Sequence, residues 1–498
     1  MATPEEQITP ADAAIVTTGT GRKGPEEHDL PQSLKDDMDL CLKILRDVLG
    51  EYNPELLSTF DTVRNYSVEA SAEHFAELED PNPAQDGLKE AVNVIDNMTL
   101  HDAQLLARAF ATYFHLANLS EENYRVSVLH ERENNVSGEQ AVDPINELTV
   151  AYHQLINEMG PAKAKELLDQ LEFHPVFTAH PTEARRKAVE GKIRRISELL
   201  GEYKILGGSD KKECLRRLYN EIDALFRTSP IALKKPTPVE EADTILDIFD
   251  NTLFHTIPKV YRRFDDWILG DQAGLVEPAC PAFFHPGSWI GSDRDGNPNV
   301  TAKVSRAVAR KFSDHVIAAL EEATRTVGRN LTMEAETTPP SAELKNLWSH
   351  QKEMSERLTD KAALISTKEM HRAVMLVMAD RLHYTIERDA DLMYHSCDDF
   401  LNDLKVVQRS LAEAGAKRSA YGPLQDLIWQ TETFGFHMVE MEFRQHSVVH
   451  ARALADIREH GLHGERGELQ PMTHEVLDTF RALGAIQKRN GLKAARRY

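Results

Sequence analysis

Residues 176–187 read VFTAHPTEARRK, and this stretch combines a strand, a histidine and the start of a helix. Its first four residues form a short apolar run with strand character. Pro181 follows, and its fixed backbone angle suits the first turn of a helix. The pattern therefore predicts that His180 lies at a strand-to-helix junction.

Positive charge is concentrated directly after this junction, beginning with Arg185, Arg186 and Lys187 and continuing to residue 195. In the first turns of a helix the dipole disfavours cations by roughly 0.3 kcal/mol or more each. Nearby acidic side chains can offset these charges, in which case the segment is a capped surface helix and His180 a hydrogen-bonded core histidine. Alternatively, guanidinium groups and free backbone N–H groups bind a phosphate or carboxylate ligand.

A second block, residues 286–301, reads PGSWIGSDRDGNPNVT. Glycines on both sides of the Trp-Ile pair allow close approach of the backbone, and the Asp-Gly-Asn-Pro run indicates a tight turn. The block is not a calcium-binding EF-hand loop, in which glycine is sixth and glutamate twelfth from the first aspartate. Here the glycine is fourth and the twelfth residue is Val304.

A third block, residues 434–447, reads FGFHMVEMEFRQHS. Its apolar and polar residues alternate in part as they do in a strand, and Arg444 lies at the end of that predicted strand. Taken by itself, an arginine at this position is explained equally well by an ordinary salt bridge.

The three blocks resemble, in the correct order, three long motifs of the phosphoenolpyruvate carboxylase family. These motifs are the segment around the catalytic histidine, the glycine-rich strand and loop, and the strand that ends in an Asp-Ile-Arg-Gln-type sequence. Weaker agreement over residues 108–122 and 225–242 extends the resemblance over nearly the whole chain beyond the first thirty or so residues. Departures are Ser292 in place of glycine, and Glu442 and Phe443 in place of aspartate and isoleucine.

The resemblance implies that the complete enzyme converts phosphoenolpyruvate and bicarbonate to oxaloacetate and phosphate, which feeds the tricarboxylic acid cycle. It assigns His180 as the catalytic base that takes a proton from carboxyphosphate, a task suited to a pKa near neutrality. It assigns Arg444 to the phosphate of the substrate. Arg185 and Arg186 are expected to add positive potential to substrate binding.

The family uses Mg²⁺ or Mn²⁺, and its metal ligands, catalytic lysine segment and Gly-Arg-Gly-Gly loop have no counterpart in this chain. Residues 491–498 resemble the run that leads into the fourth strand, so the metal ligands are expected downstream of Tyr498. We therefore expect the chain to be the N-terminal part of a longer, bacterial-type polypeptide. This part alone is expected to be inactive, and the complete enzyme is expected to be a homotetramer.

The expected fold is mainly α with a partial α/β barrel: a helix-rich (β/α)8 barrel of which only the first three strands are present. Strands are predicted at about 175–179, 286–291 and 435–443, each with a motif at its C-terminal end. The predicted organisation is a disordered tail at 1–33, a helical region at 34–172 and the incomplete barrel at 173–498. Beyond an apolar helix from residue 34, helices are predicted at 83–96, 101–120, 146–171, 183–206, 210–227, 238–266, 301–328, 342–357, 368–389 and 397–414.

Composition excludes several classes of protein. The formal net charge of −22 argues against nucleic acid or an anionic membrane surface as partner. No apolar run approaches the length of about 20 residues that spans a bilayer, and the N-terminus does not resemble a signal peptide. The four cysteines lack metal-type spacing and indicate reduced thiols. These features predict a cytoplasmic protein.

Two alternative functions remain open. In a phosphotransferase, His180 would accept a phosphoryl group and form an acid-labile phosphohistidine. In a non-catalytic interpretation the chain is a truncated helical module that scaffolds or regulates a partner. The main support for this interpretation is that the metal ligands of the family have no counterpart in this chain.

Overall fold

A computed structural model describes residues 31–77, 86–135, 148–178, 187–229, 236–365 and 368–498. The predicted N-terminal tail lies almost wholly outside these residues. The described chain is mainly helical, as predicted, and divides into two compact units. The first unit contains the described residues up to 135 together with 187–229, and the second contains 148–178 and 236–498. The domain boundary predicted at residue 173 stays a prediction.

The described residues of the first unit form six helices. They are α1 (Gln32–Tyr52), α2 (Pro54–Glu77), α3 (Asp86–Asp96), α4 (Leu100–Asn135), α7 (Lys187–Ile205) and α8 (Gly208–Arg227). Their apolar stripes meet in one core, where Ile44, Phe60, Ile196 and Leu218 are completely buried. This unit therefore has a hydrophobic core of its own.

The second unit contains the remaining α-helices and all the strands of the described chain. Its helices are α5 (Leu148–Met159), α6 (Pro161–Asp169), α9 (Pro238–Ile248), α10 (Phe254–Leu269), α11 (Ala302–Asn330), α12 (Ala342–Met354), α13 (Glu356–Ile365), α14 (Met370–Glu387), α15 (Cys397–Glu413), α16 (Lys417–Tyr421), α17 (Pro423–Phe434), α18 (Ser447–His460) and α19 (Pro471–Asn490). Around Tyr261, Phe312 and Trp429 they form a second core.

Most predicted helices are present, but two are interrupted. The helix predicted at 146–171 divides at Gly160, whose φ of 80° is left-handed, and restarts at Pro161. The helix predicted at 238–266 contains a π-helical turn at Phe249–Leu253, shortly before Pro258, which lacks a backbone donor. The sequence interpretation assigned no helix to α2, α13 or α16–α19, although Pro423 and Pro471 are typical first residues of a helix.

The three predicted strands exist but are short: β1 (Val176–Phe177), β2 (Gly287–Ser288) and β3 (Glu440–Met441). They pair in parallel in the order β1-β2-β3. A single parallel bridge joins Arg497 to Glu442, where the backbone N–H of Phe443 donates to the carbonyl of Arg497 at 3.1 Å. Each neighbour in the sheet is thus the next strand along the chain.

The two faces of this sheet differ in polarity. The partners Phe177, Ser288 and Met441 face the core of the second unit with their neighbours Phe284 and Phe443. The opposite face carries the partners Val176, Gly287 and Glu440. Because side chains alternate along a strand, residues two positions away from these lie on the same face. Those residues include His174, His285, Trp289 and Glu442, so this face is polar.

Glu440 lies at the centre of the polar face, and its side chain is only 3% exposed. Its carboxylate accepts two hydrogen bonds of 2.9 Å from Arg496 and one of 3.2 Å from Arg497. Arg497 also donates to Nδ1 of His174 at 3.0 Å, on the chain segment before β1. Burial alone would raise the pKa of Glu440, but the two guanidinium groups outweigh it, and the pKa is lowered.

Across the six described ranges between residues 31 and 498, no helix is long and apolar enough to cross a membrane.

Replacing Glu440 with Gln should lower the free energy of unfolding by about 1.5–3 kcal/mol at neutral pH, because two partly exposed arginines lose the charge of their buried partner. The folded-state pKa of Glu440 lies below its usual value of 4.5. The stabilisation is therefore complete above pH 4.5 and is lost as the pH falls through the folded-state pKa. Urea unfolding at a series of pH values measures the difference between the two proteins.

A matched control is Glu432→Gln, which removes a more exposed ion pair with Lys405 at 2.9 Å and should cost at most about 1 kcal/mol. This account of the sheet is contradicted if the two variants lose the same free energy of unfolding. It is also contradicted if the loss caused by Glu440→Gln is as large in acid as at neutral pH.

Candidate active site at the carboxyl ends of the strands

The carboxyl ends of β2 and β3 bring the second and third sequence blocks together. After β2 the chain makes a tight turn, in which the N–H groups of Ser292 and Asp293 both point to the carbonyl of Trp289, at 3.0 and 2.9 Å. The turn returns Asp293 to a parallel bridge with Arg444. If the register of β2 and β3 continued unbroken, residue 291 would pair with Arg444. Because Asp293 pairs with Arg444 instead, the turn accommodates two additional residues.

Gly291 makes this turn possible. Its φ is 73°, a region that favours glycine, and a Cβ built on it would lie 2.7 Å from Cγ2 of Val308 on α11. The next residue, Ser292, departs from the family pattern, but it has an ordinary backbone conformation. It is fully buried, and its hydroxyl donates to the carbonyl of Ser288 at 3.2 Å. The serine is therefore accommodated within the strand end.

Arg444 lies at this edge with its side chain half exposed. Its guanidinium group stacks over the Trp289 ring at 4.5 Å and pairs with Asp293 at 3.2 Å. Among the side chains that the structure describes, Asp293 is the one ionic partner of Arg444. Since a guanidinium group has five N–H donors, most of them remain available for a ligand.

Trp289 is fixed in turn by Glu442, whose Oε2 accepts a hydrogen bond of 3.2 Å from the indole Nε1. Glu442 Oε1 lies 3.8 Å from Nε of Arg497. From the sequence, no role in the site was assigned to Asp293 or Glu442. The alternation of Glu440, Glu442 and Arg444 along one strand is the signal that could have placed these side chains on one face.

Arg294 has a different environment from Arg444. It is almost completely buried, pairs with Glu475 at 3.1 Å and contacts Thr479. The pKa of its guanidinium group is lowered, chiefly by burial. Arg294 therefore attaches the loop to α19.

Other sequence-predicted site residues cannot be placed with Arg444. His180, Arg185 and Arg186 lie outside the described residues. Of the basic cluster that follows them, two described members share one carboxylate: Lys192 and Arg195 contact Glu221 at 3.4 and 3.1 Å. These two side chains therefore share an acidic neighbour, as the surface-helix alternative predicts.

A cavity of about 1080 Å³ lies at the opposite, amino-terminal ends of the strands, next to His285 and His437. Burial lowers the pKa of both histidines, that of His437 to about 4, which favours their neutral forms. Basic side chains of its wall have acidic neighbours, as in the pairs Lys165–Asp169 at 3.0 Å and Lys405–Glu432 at 2.9 Å. The cavity is separate from the site around Arg444.

In the part of the chain that the structure describes, no group of three His, Cys, Asp or Glu side chains is arranged to hold a metal ion. The two carboxylates next to Arg444, those of Asp293 and Glu442, are engaged by Arg444 and Trp289. The described residues therefore do not fit the divalent ion that the resemblance implies.

Replacing Gly291 with Ala should lower the free energy of unfolding by about 2–4 kcal/mol, because the new Cβ meets Val308 and the φ is unfavourable. Gly484→Ala on α19 is the control, since its Cβ would meet nothing within 4 Å and should add about 0.5–1 kcal/mol of stability. Chemical denaturation of both variants measures these changes. A Gly291 variant as stable as the wild type would show that the turn does not need glycine.

Most of this chain is similar in sequence to known proteins. The family model for phosphoenolpyruvate carboxylase matches residues 34–466. The phosphoenolpyruvate carboxylases of Roseiflexus castenholzii, Azorhizobium caulinodans and Phaseolus vulgaris are 32%, 28% and 29% identical over 79%, 88% and 85% of this chain. The matches cover 46%, 46% and 44% of those proteins, so the chain spans about half their length. The chain belongs to the phosphoenolpyruvate carboxylase family.

Proposed function

We propose that this chain supplies the first part of a phosphoenolpyruvate carboxylase active site. The observation that carries the proposal is the environment of Arg444, which is half exposed at the carboxyl edge of the sheet and oriented by Trp289 and Asp293. A planar guanidinium group with free donors suits a phosphate group. The complete enzyme would combine phosphoenolpyruvate with bicarbonate to give oxaloacetate and phosphate.

We further propose that the sheet is the start of a (β/α)8 barrel. Its parallel order, β1-β2-β3 followed by Arg497, keeps neighbours in chain order. Barrels have this order, whereas doubly wound sheets reverse it at a switch point. Ligand sites of such barrels lie at the carboxyl ends of the strands, which is where Arg444 lies. The proposed barrel region is 173–498, after a helical region at 34–172 and a tail at 1–33.

In the sequence, His180 follows the last residue of β1 by three positions, and we propose that it acts together with Arg444. In the proposed reaction, an oxygen of bicarbonate attacks the phosphorus atom, and the enolate of pyruvate leaves. His180 then takes the carboxyl proton of carboxyphosphate, which breaks down to carbon dioxide and phosphate. The enolate carbon attacks carbon dioxide and forms oxaloacetate. Arg444 binds the phosphoryl group throughout, with Arg185 and Arg186 adding positive potential.

The remaining requirements are assigned to other parts of the protein. We place the ligands of Mg²⁺ or Mn²⁺ downstream of Tyr498. The complete enzyme is proposed to be a cytoplasmic homotetramer, and the chain alone is proposed to be inactive.

Joining this chain to the second half of the Roseiflexus castenholzii enzyme should restore oxaloacetate formation, measured by coupled oxidation of NADH. In the joined protein, His180→Asn should lower kcat by about 100-fold or more, because the general base is lost. Arg444→Gln should raise KM for phosphoenolpyruvate about 10- to 100-fold, because charged hydrogen bonds to phosphate are lost. Arg481→Gln, which removes an exposed pair with Asp478, is the control and should have no effect.

Full activity of the His180 variant would exclude this assignment of the base. The phosphotransferase alternative is tested with the same proteins, since it predicts acid-labile phosphate on His180 after incubation with phosphoenolpyruvate. The carboxylase proposal predicts none.

A further inference from the structure

Arg444 is held from two directions by side chains of its own sheet edge. Its guanidinium plane lies over the ring of Trp289, with the central carbon 4.5 Å from the ring centroid. One of its terminal nitrogens contacts a carboxylate oxygen of Asp293 at 3.2 Å. The contact with the ring and the ion pair together restrict the orientation of the guanidinium group.

The indole itself is held by Glu442, which is 24% exposed. The hydrogen bond of 3.2 Å from Nε1 fixes the ring that supports Arg444. Glu442, Trp289 and Arg444 thus form a continuous chain of contacts across β2 and β3.

We propose that Glu442 is a positioning residue for phosphate binding, acting through Trp289 on the orientation of Arg444. This inference rests on the proposed function of Arg444 as the phosphate ligand. An oriented guanidinium group loses less conformational entropy when it binds an anion, so its affinity is higher than that of a mobile one. Glu442 does not itself touch the substrate.

The length of the Glu442 side chain is essential to this role. An aspartate has one methylene fewer, which withdraws the carboxylate by about 1.5 Å. A bond that is already 3.2 Å long would then exceed hydrogen-bonding distance. The glutamate is therefore matched to the position of the indole in this chain.

Three variants separate the hydrogen bond from other properties of Glu442. Glu442→Leu removes the acceptor, Glu442→Asp shortens it, and Glu442→Gln retains an acceptor at the same distance without the charge. Folding should survive the loss of Glu442, because Arg497 keeps its bond of 3.2 Å to Glu440. Thermal unfolding verifies this for each variant.

The first measurement needs no ligand. The chain has four tryptophans, and ¹⁵N-labelled indole resonances distinguish them, with Trp289→Phe providing the assignment. Glu442→Leu and Arg444→Gln should each shift the Trp289 resonance, whereas Glu442→Gln should shift it least. If the chemical shift of the Trp289 resonance changes in neither Glu442→Leu nor Arg444→Gln, the proposed chain of contacts is wrong.

The second measurement is calorimetric titration of the joined protein, described under the proposed function, with phosphoenolpyruvate. Glu442→Leu and Glu442→Asp should weaken binding about 3- to 10-fold, which corresponds to the loss of one hydrogen bond. Glu442→Gln should recover most of the affinity. In an Arg444→Gln background the effect of Glu442→Leu should vanish, because the residue acts through Arg444.

The outcomes distinguish this inference from the proposed function. If the wild type binds phosphoenolpyruvate, Arg444→Gln loses binding and Glu442→Leu does not, the positioning role is wrong and the phosphate role of Arg444 stands. If the joined protein with wild-type Glu442 and Arg444 does not bind phosphoenolpyruvate, or if Arg444→Gln binds it equally well, both are wrong. An effect of Glu442→Leu that persists without Arg444 also overturns the positioning role.

Discussion

The buried carboxylate of Glu440 is the interaction on which the sheet depends. Parallel strands of two residues each provide few backbone hydrogen bonds, so side chains must hold the strands in register. Glu440 does this by binding Arg496 and Arg497, and Arg497 extends the connection to His174. An unpaired carboxylate at this depth would be strongly disfavoured. The two guanidinium groups therefore fix the chain segments on both sides of the sheet.

Once Glu440 is fixed, the alternation of the strand determines where the next polar side chains lie. Glu442 and Arg444 must lie on the same face, and the neighbouring strand must present Trp289 opposite Glu442. The site around Arg444 is thus a continuation of the polar face toward the carboxyl edge. The turn at Gly291 completes it, because two additional residues bring Asp293 into contact with Arg444.

The sequence predicted much of this arrangement but not its contacts. Motifs at strand ends predicted the three strands and their order along the chain. The pairing of Asp293 with Arg444 could not be predicted, because it depends on the left-handed turn at Gly291 and on the position of Val308 on α11. The strand predicted at 435–443 was too long. Left-handed φ values of 53° at Gly435 and 66° at Met438 interrupt it before β3 begins.

Charge counting could not identify the anion site, since basic residues occur in many places in this acidic chain. The ionic partners and the burial of these basic side chains distinguish one from another. Arg496 and Arg497 share a buried carboxylate, and Arg294 is enclosed with Glu475. Arg444 combines exposure with a fixed orientation and a partner that engages one edge of its guanidinium group. A phosphate needs donors that are both oriented and accessible, and Arg444 meets both conditions.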